Sequence, residues 1–167
     1  MKTVLFGTLM LSAACALNPA PVPVSGAAED VKALVGDWTG QYRSPETGRS
    51  GSILFMLEAW HDTAHGDVVM VTREANMTFD DATSEATRRR AANQVLTIRF
   101  VRVNGSLVTG TIDPYPAPDC TCDLVTVFHG RLRENRIEGT FRSHHTGHDM
   151  PVQEGTWWVT RTPSQPR

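Results

Sequence analysis

Two short clusters of cysteine and histidine are the residues of this chain best suited to chemistry. One is a C-x-C at Cys120 and Cys122, and the other is an H-H-x-x-H at His144, His145 and His148. Thiolate and imidazole groups are ligands that zinc and copper prefer in proteins. If the two clusters meet in the fold, they supply three or four donors for zinc or copper. Apart from this alternative, the sequence indicates no cofactor.

A disulfide between Cys120 and Cys122 is the competing interpretation of the first cluster. It applies if the chain is exported, because disulfides persist in oxidising compartments. Two cysteines on one face of a regular strand lie roughly 6 to 7 Å apart, near the limit for bonding. A loop conformation would shorten that distance, so both the disulfide and the metal site remain open.

A run of arginines, Arg88-Arg89-Arg90, is the third feature with possible chemistry. It is either a solvated helical face balanced by nearby carboxylates or a clamp for an anion, with Arg89 as the candidate contact. The chain has no G-x-S-x-G elbow, phosphate-binding loop or dinucleotide fingerprint, so we assign no catalytic residue and do not favour an enzyme. A formal net charge of -2 argues against nucleic-acid binding.

The elements that must position these residues are β-strands. Leu96, Ile98 and Phe100 alternate with polar residues, and similar alternation recurs along the chain. The pattern predicts strands over residues 37–43, 50–60, 67–73, 94–103, 107–113, 122–133, 136–143 and 152–162.

The short connections predict how the strands are joined. Asn104-Gly105 is a strong hairpin signal, and residues 133–135 suit a second tight turn. We therefore predict an all-β fold, an eight-stranded antiparallel up-and-down barrel, since closure removes the exposed edges of a meander. A short helix over residues 29–34 leads in and is placed to plug one end, and the long connection holds a second helical candidate within residues 80–92.

The residues at the two ends of the predicted barrel resemble the calycin superfamily of lipocalins, fatty-acid-binding proteins and avidins. Gly36-Asp37-Trp38 opens the first strand, and Arg161 follows Gly155-Thr156-Trp157-Trp158 on the last. The resemblance implies that Trp38 packs against Arg161 at a closed barrel end, with Gly36, Trp38 and Arg161 as structural residues. The later lipocalin motifs are not evident.

Strand parity predicts one elaborated mouth. In an up-and-down barrel, the connections after the first, third, fifth and seventh strands emerge at one end. These four connections are long and hold the Cys cluster, the Arg run and the His cluster, whereas His61 and His65 belong to the opposite end, the floor. The barrel is either filled or hollow enough for one small ligand. We predict that Phe100, Gly110, Phe128, Phe141 and Arg89 contact such a ligand. The predicted inward set also includes Leu54, Met56, Val69, Val71, Leu96, Ile98, Val108, Ile112, Leu124 and Ile137, with Gly130 and Gly139 either leaving room or marking strong coiling.

The first residues have the layout of an export signal, because Lys2 precedes an apolar run and a small-residue exit. Cys15 lies in a lipobox-like context and would carry a lipid, although Ala14-Cys15-Ala16 also fits cleavage of a secreted protein. We predict a signal over 1–16, a Pro-rich tether over 17–28 and a single barrel domain over 29–167. The expected location is the cell envelope, as a periplasm-facing outer-membrane lipoprotein, or the exterior.

Three functions fit these features. The leading one is an exported, membrane-tethered binding protein for a small apolar or amphipathic molecule. The second is an interaction protein, because small barrels of this type resemble secreted metalloprotease inhibitors, which require a free N-terminal segment. The third is a zinc- or copper-binding envelope protein. The sequence identifies no protein partner.

Overall fold

The computed structural model describes residues 23–60, 63–73, 95–117 and 120–163, and strands dominate these ranges. The helix is α1 (Ala28–Leu34). The strands are β1 (Val24–Ser25), β2 (Gly36–Arg43), β3 (Ser50–Trp60), β4 (Thr63–Arg73), β5 (Val95–Leu96), β6 (Ile98–Asn104), β7 (Leu107–Pro116), β8 (Asp123–Arg133), β9 (Arg136–His145) and β10 (Gln153–Arg161). None of the described helices is long and apolar enough to cross a membrane.

The long strands pair antiparallel and form a barrel, which confirms the predicted fold class. Neighbouring strands pair in chain order from β2 to β5 and from β6 to β10, and β10 returns to pair with β2. Only Thr97 separates β5 from β6, so the two continue one another as a single wall strand. A register shift between Ile98 and Phe100 bends that strand.

A short strand that the sequence pattern did not reveal completes the wall. Val24 in β1 pairs antiparallel with Ala64 in β4 and parallel with Val101 in β6. Its side chain is 1% exposed, and the Val101 amide donates to the Pro23 carbonyl at 3.0 Å. The end of the predicted tether, Val24–Ser25, is therefore paired with strands of the barrel. Residues 1–22, including Cys15 and the leader that an inhibitor would use, lie outside the described residues.

The floor of the barrel is closed by α1. Val31 and Leu34 are buried on its inner face, and the Gly105 amide of the β6–β7 turn donates to the Asp30 carboxylate at 2.7 Å. The negative charge lies in the first turn of the helix, where it complements the helix dipole. The helix therefore plugs the end of the barrel opposite to the long connections.

The three residues of the calycin resemblance meet at this floor. Trp38 Nε1 donates to the Leu34 carbonyl at 2.8 Å, and the Arg161 guanidinium lies 4.5 Å from the Trp38 ring centre. Arg161 also donates to the carbonyls of Ala33 and Val35, at the end of α1. At Gly36, φ is +127°, a value that side chains rarely tolerate, and a Cβ would stand 3.1 Å from Arg161 Nη1.

The predicted inward face of β3 is wrong by one residue. Leu54 and Met56 are 46% and 48% exposed, whereas Ile53 and Leu57 are buried. Residues 53–57 are apolar on both faces, so alternation could not choose between them. Stacking of Phe55 on Trp38, with ring centres 5.7 Å apart, accompanies the observed register.

Candidate functional site

The barrel is hollow, and the lining of its cavity runs from Leu34 in the helical plug to Arg49 near the mouth. Its cavity has a volume of about 80 Å³. Half-buried Thr47, Arg49 and Gln153 belong to its lining, so the cavity reaches solvent at the mouth. The apolar wall consists of Leu34, Ile53, Phe55, Leu57, Leu96, Ile98, Val101, Val108, Ile112, Phe128, Ile137, Phe141 and Trp157.

Aromatic side chains hold the shape of the wall. Phe128 packs edge-on against Trp157 with ring centres 5.6 Å apart, and Phe141 packs edge-on against Tyr42 at 6.1 Å. Trp157 Nε1 donates to the carbonyls of His129 and Thr140, at 3.2 and 3.3 Å. These contacts fix the aromatic rings before any ligand enters.

The glycines of β8 and β9 do not open the cavity. A Cβ on Gly130 would stand 2.7 Å from the Trp157 ring, and one on Gly139 would overlap the His129 carbonyl at 1.9 Å. These glycines serve the close approach of Trp157 and of neighbouring backbone. Gly130 and Gly139 therefore do not leave space for a ligand.

Polar groups converge near the mouth. The Tyr115 hydroxyl lies 3.1 Å from Thr126 Oγ1, which lies 2.6 Å from Ser143 Oγ. This chain of hydroxyls crosses from β7 to β9 on the inner face of the barrel. On the other side of the mouth, Ser44 Oγ donates to the Glu154 carbonyl at 2.7 Å.

The Tyr42 hydroxyl is the exception among these polar groups. Tyr42 is 7% exposed, and its oxygen has no hydrogen-bond partner among the described residues. Burial raises the pKa of Tyr42 to about 12, although the charge of Arg49 opposes the rise. Tyr42 is therefore a neutral phenol near pH 7, and its hydroxyl retains an unused hydrogen-bond donor among the described residues.

Arg49 supplies the positive charge of the mouth. It lies in the β2–β3 loop, where its carbonyl accepts from the Ser44 amide at 2.8 Å and its amide donates to Thr47 Oγ1 at 3.3 Å. Its guanidinium lies 5.8 Å from the Tyr115 ring centre. Within the described ranges no carboxylate forms an ion pair with it. The mouth thus combines a cation with a neutral donor, an arrangement suited to an acidic group.

The sequence-predicted ligand residues have mixed placements. Phe128 and Phe141 line the cavity, and Gly110 is buried on β7 between the lining residues Val108 and Ile112. Arg89 and the side chain of Phe100 lie outside the described residues.

Sequence reasoning missed Tyr42, Arg49, Tyr115, Thr126, Ser143 and Trp157, all of which line the cavity. For two of these residues the sequence held a signal that could have been used: the chain has only 2 tyrosines, and their position along the strands could be predicted. Both lie near the ends of strands that run to the mouth.

The Cys and His clusters share the rim, as strand parity predicted, but only part of the predicted set converges. Cys120 and Cys122 form a disulfide across a bend with Cα atoms 5.3 Å apart, so the spacing of a regular strand does not apply. The two Sγ atoms and a ring nitrogen of His145 lie within 4.8 Å of one another.

The five residues of the predicted metal set therefore do not all come together. His144 and His148 are exposed, and neither belongs to the cluster in this part of the chain. His144 and His145 are consecutive in β9, so their side chains point to opposite faces. Only the inner one, His145, reaches the cysteines.

Comparison with known proteins supports the fold. The sequence matches no model of a protein family and no curated protein sequence. The structure is similar to that of EF1p2_mFAP2b bound to DFHBI, with a TM-score of 0.51, 9% sequence identity, and coverage of 82% of this chain and 100% of that chain. At this identity the likeness concerns the β-barrel fold alone.

Proposed function

We propose that this protein is an exported binding protein, tethered through Cys15, that holds a small amphipathic molecule in its barrel. The apolar body of the ligand lies among Phe128, Phe141 and Trp157, and its acidic or strongly accepting group lies at the mouth beside Tyr42 and Arg49. The observation that carries the proposal is the buried Tyr42 hydroxyl with no partner among the described residues.

The Tyr42 hydroxyl favours a ligand that accepts a hydrogen bond. A buried hydroxyl without a partner costs about 1 to 3 kcal/mol, because it has lost its bonds to water. A ligand oxygen placed against it recovers that free energy. Tyr42 is protonated near pH 7, as an ordinary phenol is, so it meets an anion as a donor and adds no repulsion.

Arg49 favours an acidic group over a neutral one. It is half-buried in the cavity lining, where attraction to an anion is less screened than at an open surface. A guanidinium also binds carboxylate or phosphate with two parallel hydrogen bonds. A cation, by contrast, would meet the charge of Arg49 at the entrance.

The wall favours an apolar ligand body of modest size. Hydrophobic and aromatic side chains form almost the entire lining below the mouth, as is usual for small-molecule sites. The structurally similar barrel of EF1p2_mFAP2b is bound to DFHBI, which supports a barrel of this architecture as a holder of a small molecule.

Export is supported by the signal-like residues 1–16 and by the Cys120–Cys122 disulfide, which suits an oxidising compartment. Fractionation of expressing cells tests the tether. We expect the chain in the membrane fraction and a Cys15→Ser variant in the soluble fraction. If the unaltered chain and the Cys15→Ser variant distribute alike between the two fractions, the lipid anchor is excluded.

A pair of matched fluorescent probes tests the site. The anionic probe is 1-anilinonaphthalene-8-sulfonate, and the neutral probe is N-phenyl-1-naphthylamine, which has the same aromatic body without the sulfonate. We expect both to bind with enhanced fluorescence and the anionic probe to bind about tenfold more tightly, since one charge-assisted contact contributes about 1.5 to 3 kcal/mol.

Variants then assign that preference to residues. Arg49→Gln and Tyr42→Phe are expected to weaken the anionic probe and leave the neutral one within about twofold, because they remove polar contacts without altering the apolar wall. Arg133→Gln removes an exposed charge at the floor and is the control. Absence of binding by both probes would exclude a ligand-holding cavity, and equal effects of Arg133→Gln and Arg49→Gln would exclude the mouth as the anion site.

A further inference from the structure

We propose that reduction of the Cys120–Cys122 disulfide creates a zinc site from both thiolates and the imidazole of His145. The site is independent of the ligand cavity, since Cys120, Cys122 and His145 are not among the residues that line it. Zinc binding would therefore depend on the redox state of the protein.

The three donor groups already lie close to coordination distance. Their ligand atoms lie within 4.8 Å of one another. In a tetrahedral zinc site with Zn–S of about 2.3 Å and Zn–N of about 2.0 Å, ligand atoms lie roughly 3.3 to 3.8 Å apart. Once the sulfur–sulfur bond of about 2.05 Å is broken, the two sulfurs must move apart by roughly 1.7 Å. A sulfur–nitrogen distance of up to 4.8 Å must shorten by roughly 1 Å.

The backbone fixes two of the donors relative to each other. His145 is the last residue of β9 and pairs with Leu124 in β8, two residues after Cys122. The Thr146 amide donates to the Asp123 carbonyl at 2.8 Å, and the Cys122 carbonyl accepts from the Ala117 amide at 2.8 Å. The imidazole and the second sulfur are thus held by strand pairing, which lowers the entropy lost on binding.

Burial differs among the donors in a way that suits metal entry. His145 is 5% exposed, whereas both cysteines are half-buried. A reductant and an incoming ion can therefore reach the sulfurs, while the imidazole is held from the protein side. No fourth protein donor belongs to the cluster in the described part of the chain, so water completes the coordination.

The chemistry balances with a dithiol as the reductant. Thiol–disulfide exchange transfers two electrons to the Cys120–Cys122 bond, leaving two thiols on the protein and a disulfide on the reductant. Zinc then displaces the two thiol protons, and two thiolates with one neutral imidazole give a coordination sphere of balanced charge. In the oxidised chain the sulfurs are bonded to each other and offer no thiolate.

The test uses the full chain carrying Cys15→Ser, so that the rim pair supplies the only thiols. Samples are kept oxidised, or are reduced with dithiothreitol that is then removed without air. Zinc affinity is measured by competition with a chromogenic chelator, and Co²⁺ absorbance in the near ultraviolet reports thiolate coordination. We expect one zinc per reduced chain, with thiolate-to-cobalt absorbance, and at least tenfold weaker binding by the oxidised chain.

His145→Ala is the diagnostic variant, and His148→Ala and His144→Ala are its matched controls on the same rim. We expect the first to weaken zinc binding by about tenfold or more and the controls to change it less than twofold. Circular dichroism establishes that the variants fold, and cobalt absorbance persists in His145→Ala if only the nitrogen donor is lost. Equal zinc binding by oxidised and reduced chains, or a loss with His148→Ala as large as with His145→Ala, would overturn the proposal.

Discussion

Arg161 lies over Trp38, with its guanidinium carbon 4.5 Å from the ring centre, and these residues join β10 to β2 at the barrel floor. The same side chain bonds the carbonyls of Ala33 and Val35 at the end of α1. One residue thus ties the helical plug to the closing seam.

We expect Arg161→Gln to destabilise the protein by about 2 to 4 kcal/mol. The loss combines a cation–π contact of about 1 kcal/mol with charge-assisted hydrogen bonds of about 1.5 to 3 kcal/mol. Urea unfolding measures it. Arg133→Gln, which removes an exposed arginine, is expected to change stability by no more than about 0.5 kcal/mol. A similar effect of both substitutions would show that Arg161 does not hold the floor.

The hydroxyl chain at the mouth gives a prediction about paired polar groups. Thr126→Val removes both bonds of the central hydroxyl and leaves Ser143 Oγ buried without its partner. We expect a loss of about 1 to 3 kcal/mol in urea unfolding. Thr109→Val, on the outer face of β7, is the control and is expected to be nearly neutral.

Adding Ser143→Ala to Thr126→Val distinguishes an unsatisfied hydroxyl from a packing defect. Ser143→Ala removes the orphaned buried hydroxyl, and only the hydroxyl of the half-buried Tyr115 then lacks its original partner, so we expect the double variant to recover at least half of the lost stability. A double variant less stable than Thr126→Val alone would assign the loss to packing.

Tyr42 gives a prediction about alkaline pH. Its pKa is about 12 in the folded protein against an ordinary value of 10.0, so the unfolded chain loses the phenol proton first. Below about pH 10 both states are protonated and stability is unaffected. Between pH 10 and 12 the folded state binds more protons than the unfolded state, so stability falls with rising pH, by about 2 to 3 kcal/mol in total.

Phenolate absorbance checks this directly, because the chain has 2 tyrosines. The folded protein is expected to show a transition near pH 12 that is absent in Tyr42→Phe, and that variant is expected to lose the corresponding slope of stability. If Tyr42→Phe removes a transition near pH 10 instead, the hydroxyl is solvated and carries no argument for a ligand.

The barrel could be predicted because its strands alternate and its tight turns carry Gly or Asn. The bounds 50–60 of β3 were predicted as observed, and the other long strands lie within a few residues of their predictions. Alternation was also enough to place Phe128 and Ile137 inside. It failed at Leu54 and Met56, where both faces are apolar and only packing against the neighbouring strands sets the register.

The site was less accessible to sequence reasoning than the fold. Tyr42 and Arg49 lie seven positions apart in the chain, and nothing local indicates that they face one cavity. Pairing of Arg43 with Ser50 in the β2–β3 hairpin brings them together, and barrel closure brings Tyr115 to the same mouth. The His cluster shows the opposite case. His144 and His145 are neighbours in sequence and were predicted to act together, but they point to opposite faces of β9.

The last prediction concerns Val24. Its strand, β1, is too short to be stable by itself, but it fills the gap between two strands of the barrel. Its two residues lie between β4 and β6, which diverge where β5 ends its pairing with β4. We expect Val24→Ala to cost about 1 to 3 kcal/mol, since it removes fully buried methyl groups and leaves a gap between two strands. Ser25→Ala, at the exposed neighbouring position, is the control and is expected to be nearly neutral. Hydrogen exchange locates the effect, because the Val101 amide, which donates to the Pro23 carbonyl, is expected to exchange faster in Val24→Ala. Unchanged stability and unchanged exchange at Val101 would mean that β1 rests on a barrel already closed by β5.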